Sequence, residues 1–219
     1  MKRSIFVLGV ILVLSGCREN DSSSAALIES RISNRPIVAL VPVIDHSHSD
    51  LNWSLSEEFS LALRHRLTQK NNLYLAREEN FANSQKYLAW CDPFELDTSW
   101  IKKAFSQQEF VVFTELMKHT EIPVISSTEP LVDIKEAPAE LLLAIRVNVF
   151  DLRGKTPKIV LQEIIEQSHH IPREFTKTHA TPVAWDHEGF DISLLGIAHD
   201  TLSKEVASRI EDYILTSGL

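Results

Sequence analysis

Between Pro36 and Asp45 the chain reads Ile37-Val38-Ala39-Leu40-Val41-Pro42-Val43-Ile44, a near-continuous apolar run rich in β-branched residues. A run this short, without polar alternation, predicts a strand covered on both faces, as in the parallel sheet of an α/β fold. The next segment agrees with a strand-then-helix order. Ser54 and Glu57 form an S-x-x-E capping box, and Leu55, Phe59, Ala62, Leu63 and Leu67 recur at helical spacing behind it. Arg64, Arg66 and Lys70 sit towards the negative end of that helix dipole, and Asn71-Asn72 stops it.

The rest of the chain continues the alternation. Leu73–Ala76 reads as a second short strand. Residues 77–91 are weakly patterned with room for a helix. Trp100, Ile101, Ala104 and Phe105 predict a helical face after the start signals Asp92-Pro93 and Asp97-Thr98. Glu109–Leu116 (EFVVFTEL) predicts a strand, and 118–137, with Pro123 and Pro130, a loop or edge excursion. Along 139–152, Leu143, Ile145, Val147 and Val149 alternate with Arg146 and Asn148, the pattern of a half-exposed antiparallel strand. Arg153-Gly154-Lys155 supplies a turn, 158–167 the returning strand, and 168–192 is irregular. A long helix over about 193–216 buries Leu195, Leu202, Val206, Ile210 and Tyr213. The expected fold is α/β of mixed type, β-α-β-α-β-β-β-α. It has a parallel core, an added antiparallel hairpin and helices over the sheet. The composition, 44% hydrophobic and 24% charged, suits such a body.

The first seventeen residues set where that body resides. Met1-Lys2-Arg3 is a basic opening, and Ile5–Leu14 (IFVLGVILVL) is uncharged and apolar. It is shorter than the about 20 residues that span a bilayer, and fits a secretory signal. Leu14-Ser15-Gly16-Cys17 then reads as a bacterial lipobox, in which Cys17 becomes the new N-terminus and carries a diacylglycerol and an N-acyl lipid. Several acyl chains on one residue anchor a protein stably where a single chain does not. The expected organisation is a signal peptide at 1–16, a lipidated Cys17 with a polar, serine-rich tether to 34, and one periplasmic domain over 35–219. Arg18, rather than an aspartate, after the cysteine favours the outer membrane. Removing residues 1–16 leaves 20 basic against 30 acidic residues, a net charge of -10. That balance argues against nucleic acid as a partner and leaves the lipid bilayer to be held through Cys17. The second cysteine, Cys91, reads either as a small buried hydrophobe or as a reactive thiol.

Several segments resemble a known group. Pro42-Val43-Ile44-Asp45 ending the first strand, Leu75-Ala76-Arg77-Glu78 ending the second and Phe110-Val111-Val112-Phe113 in the next are similar to the opening of the envelope proteins typified by the TolB N-terminal domain, LpoB and CsgG. The segment from Leu195-Gly196-Ile197-Ala198-His199 to Tyr213-Ile214 resembles uncharacterised bacterial lipoproteins of a chlamydial type. The resemblance implies a TolB N-terminal/LpoB-like body and an envelope role. The chain lacks an amphipathic pore-forming hairpin, so pore formation is not implied.

No G-x-S-x-G, P-loop, G-x-G-x-x-G or H-E-x-x-H occurs. His46 and His48, in Asp45-His46-Ser47-His48-Ser49-Asp50, have the donor types for a metal ion but no third ligand fixed by spacing. His169, His170, His179, His187 and His199 read as surface histidines or as parts of a metal or acid–base site. Glu57-Glu58 is explained by the helix dipole. Trp53 and Trp185 fall in predicted loops, where a tryptophan either folds back onto the body or anchors a partner. The expectation is a lipoprotein without catalytic residues or a bound cofactor, an adaptor or assembly factor contacting an unidentified envelope protein through loops 45–54 and 168–192. The alternatives are a metal-dependent hydrolase using His46 and His48, and a small-ligand binding lipoprotein.

Overall fold

The computed structural model describes residues 35–82, 84–125 and 137–217. The signal peptide, Cys17, the tether and most of the 118–137 segment lie outside the described residues.

The strands are β1 (Ile37–Leu40), β2 (Ile44–Asp45), β3 (Tyr74–Leu75), β4 (Phe110–Pro123), β5 (Ala139–Asp151) and β6 (Lys158–Ile171). They form one sheet in the order β3-β1-β4-β5-β6, with β2 paired to β4 beyond the end of β1. β1 runs parallel to β3 and β4, whereas β4, β5 and β6 are antiparallel. This is the expected mixed α/β arrangement: a parallel core plus an antiparallel hairpin.

The apolar run at 37–44 is split in two. Pro42 has no N–H for a ladder bond, and the Val43 N–H instead donates to Ser60 Oγ at 2.8 Å. The chain rejoins the sheet at Ile44, opposite Glu115. Two helices cover one face of the sheet. In α1 (Leu55–Lys70) the Ser54 hydroxyl accepts from the Glu57 N–H at 3.1 Å, as the capping box requires, and Asn71 ends the helix in the left-handed conformation at φ 56°. The chain next forms two short helices, α2 (Gln85–Leu88) and α3 (Ile101–Ala104), and closes with α4 (Leu194–Thr216), capped by Ser193. Phe59, Leu63 and Leu67 of α1 and Leu202, Val206 and Ile210 of α4 pack with Val38, Leu40, Val112, Ile145 and Val147 of the sheet. Arg66–Asp200 and Lys70–Glu211 pairs tie the two helices together.

The opposite face carries a second core. Phe81, Trp100, Ile101 and Phe105 pack on Val111, Phe113 and Phe150. This cover corrects three expectations. The helix expected around Trp100 is a single turn, and the segment from 77 to 105 holds in place by packing rather than by regular structure. Asn148 is buried rather than exposed, its side-chain N–H donating to the Pro93 carbonyl at 3.2 Å. β5 is therefore covered on both faces over much of its length. β4 also runs to Pro123, well past the predicted end, because β5 pairs with it as far as Ala139.

One irregularity positions the candidate site. Ladder pairing shifts between Leu116 and Lys118. Up to Leu116 the even-numbered residues of β4 face the helices. An extra residue inverts that phase. His119 consequently pairs with Leu143 and points to the helix-covered face rather than away from it.

Candidate functional site

The loop after β2, the start of α1, the far half of β4 and the start of α4 converge at one end of the sheet. Buried there is a continuous chain of polar side chains. The Trp53 indole N–H donates to Glu58 Oε2 at 2.8 Å, and Glu58 Oε1 accepts from His199 Nδ1 at 2.6 Å. His199 Nε2 meets His119 Nε2 at 2.9 Å, and His119 Nδ1 meets Ser49 Oγ at 3.1 Å. Glu58, His119 and His199 are 3%, 3% and 2% exposed. A carboxylate and two imidazoles this deep are tolerable only because each polar atom is paired. Because His199 Nδ1 donates to Glu58, a neutral His199 accepts at Nε2, so His119 donates from its Nε2 and accepts the Ser49 hydroxyl proton at Nδ1.

Burial, reinforced by nearby His199 and the Lys177 ammonium, pushes the His119 imidazole down to about 3 from its ordinary 6.5. An imidazole with its proton affinity lowered by burial is a weak base near neutral pH. The network also fixes positions. Glu58 holds the Trp53 indole, which also stands edge-on to Phe190 at 6.1 Å between ring centres.

Two concavities flank the network. A surface cleft of about 570 Å³ is lined by residues 52–54 and 184–187 together with Glu57. Trp53 and Trp185, the two tryptophans singled out in the sequence, are both in its wall. Glu57, Asp186 and His187 complete it, Asp186 standing 3.8 Å from His187. Beside it lies a smaller, mostly apolar cavity of about 100 Å³, whose lining includes Leu51, His119, Leu141, Ile171, Val183 and Leu195. The lining passes from one hollow to the other between chain neighbours, at 51/52 and at 183/184. Lys177 pairs with Asp50 across the smaller hollow's rim, and its backbone N–H donates to Glu121 at 3.1 Å.

The other sequence candidates are dispersed. His46 Nδ1 lies 2.6 Å from Glu115 Oε1, and Glu115 also pairs with Arg146, whose guanidinium sits 4.1 Å over the Phe94 ring. His48 adopts a left-handed φ of 53°. Among the described residues no three His, Cys, Asp or Glu side chains gather as metal ligands, so His46 and His48 gain no third donor there. Cys91 is half-buried against the second core. His199 is a buried network member rather than a surface histidine. Glu58, expected to serve only the helix dipole, is its carboxylate. His119 had no sequence signal beyond its position, because the bulge that turns it inward leaves no mark in the pattern. Among the described residues no helix is long and apolar enough to cross a membrane.

Residues 27–218 match the model of DUF7499, a family of unknown function. The chain belongs to this family. Residues 1–17 match the prokaryotic membrane lipoprotein lipid attachment site, which ends on Cys17, so this DUF7499 member is a membrane-anchored lipoprotein made with a signal peptide. The expected uncharacterised lipoprotein family is thereby met. No curated protein matches the chain. Among solved structures, the hypothetical protein CT253 from Chlamydia trachomatis is 23% identical, with 82% of this chain covering 98% of that one at a TM-score of 0.65. The two share a fold, in keeping with the chlamydial-type resemblance. Lipoprotein GNA1162 from Neisseria meningitidis is 11% identical, over 79% of this chain and 99% of that one, with a TM-score of 0.40. The LpoB C-terminal domain from Salmonella enterica is 10% identical, over 65% and 93%, with a TM-score of 0.38.

Proposed function

We propose that this DUF7499 lipoprotein is a non-enzymatic accessory factor of the cell envelope, held at the outer membrane by acylated Cys17 with its body in the periplasm. It presents the end of the sheet bearing Trp53 and Trp185 to another envelope protein. The observation that carries this reading is the shared cleft: two tryptophans from loops more than a hundred residues apart line one open hollow. Half-buried aromatic side chains on a surface are the residues that most often dominate protein–protein binding. Tethering adds to it. A body confined beside the membrane meets a partner in the same layer at an effective concentration set by the length of residues 18–34, so modest contacts suffice.

Site-specific photocrosslinkers at positions 52, 184 and 90, placed one at a time in cells, test this; 52 and 184 line the cleft and leave both of its tryptophans in place. Trp90 is 90% exposed and belongs to the segment over the other sheet face. The expected outcome is one discrete crosslinked species from positions 52 and 184, absent in a Cys17→Ala background. Absence of any discrete species from all three positions would overturn the accessory reading.

The small-ligand reading also has an observation in its favour, the apolar cavity beside His119. It calls for a compact, mostly apolar molecule, in keeping with a lining that is chiefly Leu51, Leu141, Ile171, Val183 and Leu195.

A further inference from the structure

The cleft combines two features with the same chemical meaning. Indole faces attract cations through their ring quadrupole, and carboxylates attract them by charge. Trp53, Trp185, Glu57 and Asp186 line one hollow. Among the described residues Glu57 has no ion-pair partner, and Asp186 has only His187, at 3.8 Å. The smaller hollow beside it is mostly apolar, with Leu51, Leu141, Ile171, Val183 and Leu195 in its lining.

From this we infer that the two hollows form one recognition site for an extended polypeptide segment of the partner. The segment places an arginine or lysine between Trp53 and Trp185 and a nearby leucine-like side chain in the cavity. The inference rests on the accessory reading above and names the chemistry of what docks.

Three further observations favour this occupant. The hollows are separated by single peptide bonds in two different loops, so a ligand spanning a few residues reaches both. The mature chain carries a net charge of -10, which draws basic partners towards it and repels acidic ones. Finally, Trp53 is held before any ligand arrives, by its bond to buried Glu58 and its edge contact with Phe190. A pre-set aromatic wall loses little freedom on binding. Glu58 is thus a positioning residue for the cleft.

The test uses the mature acylated protein in detergent micelles and observes the indole N–H resonances of Trp53 and Trp185. The probes are the peptides acetyl-Leu-Ala-Arg-amide and acetyl-Arg-Ala-Leu-amide, their glutamate-for-arginine and alanine-for-leucine counterparts, and tetramethylammonium chloride. Expected is a saturable shift of both indoles with at least one arginine peptide. Affinity should fall about tenfold or more in the Glu57→Gln/Asp186→Asn variant and with the glutamate counterpart. It should fall severalfold when alanine replaces leucine. Both substitutions are on exposed carboxylates, so the variant's unchanged methyl spectrum certifies its fold. Unmoved indoles, equal binding of the glutamate peptide, or unchanged affinity in the variant would each overturn the inference. So would tetramethylammonium binding as tightly as the peptide, which would mark a small-cation site. If crosslinking succeeds only from position 90, the accessory reading stands and this site falls.

Discussion

At the scale of single residues, the buried imidazoles govern how the body responds to acid. His119 has an ordinary value of 6.5 and sits at about 3 in the folded chain, with burial the largest cause and His199 and Lys177 adding to it against smaller opposing pulls from a backbone hydrogen bond and Asp45. Between those values the unfolded chain binds a proton that the folded chain refuses. The stabilising contribution is complete above about pH 6.5 and is lost as pH falls towards 3. His169 is lowered too, by burial and then by His199, and acts in the same direction. Asp50 and Asp151 are lowered by their partners Lys177 and Arg153, but they act only below the ordinary carboxylate value of 3.8. Urea unfolding between about pH 6.5 and pH 4.5 should therefore show a loss on the order of 2 kcal/mol, most of it from His119. The His119→Gln variant, measured over the same range, should be less stable at neutral pH and show a shallower slope. An unchanged slope would mean that His119 is accessible to protons in the folded protein. The capping Ser54 was legible in the sequence because its role is local. Glu58 was not: its place in the first turn of α1 offered a sufficient local explanation, and its real partners are Trp53 and His199, the latter 141 positions away.

At the scale of elements, the start of α4 is closely packed against the turn before it. Gly196 lies against the preceding 3₁₀ turn at Phe190–Ile192, and a Cβ there would fall 2.0 Å from the Phe190 carbonyl oxygen. That oxygen is backbone, so it has no rotamer through which to give way. The Gly196 N–H also donates to the capping Ser193 hydroxyl at 3.0 Å. Gly196→Ala should destabilise by about 2–3 kcal/mol or more, as forced overpacking does, with a matching drop in thermal midpoint. Gly154→Ala is the comparison, because its Cβ would meet its nearest neighbour at an ordinary 3.5 Å, and the midpoint should scarcely move. The same substitution at 196 should shift the neighbouring Trp53–Phe190 contact and so alter tryptophan fluorescence. Element boundaries divide by cause. α1 and α4 were readable to within a residue because caps and apolar spacing are written locally. The lengths of β4 and β6 were not, since each is prolonged by pairing with β5. The bulge at 116–118 shows the limit most clearly: one unpaired residue reverses which side chains face the core, yet the sequence there looks ordinary.

At the scale of the whole molecule, the order of elements was legible because alternation of strands and helices restricts the sheet to few topologies. The layering was less so, since the segment from 77 to 105 covers its face with side chains held by packing rather than by periodic helices. Charge and anchoring belong to this scale as well. The lipid attachment site match ends on Cys17, and the chain without residues 1–16 has a net charge of -10. The acyl chains supply attraction to a bilayer through buried methylenes, while the body's charge opposes an anionic surface within about one Debye length. These contributions respond differently to salt. Vesicles rich in phosphatidylglycerol should retain the acylated protein at both about 20 mM and about 150 mM salt. The Cys17→Ala protein, freed of its signal sequence, should remain in the supernatant at both, with slightly less residual association at the lower salt, where repulsion reaches further. Sedimentation of the unacylated body with such vesicles, strengthening as salt is lowered, would mean that a local basic surface overrides the net charge and shares in holding the membrane. Retention by acyl chains alone would leave the Trp53–Trp185 end of the sheet free to turn away from the lipid, within the reach of the tether, towards a partner.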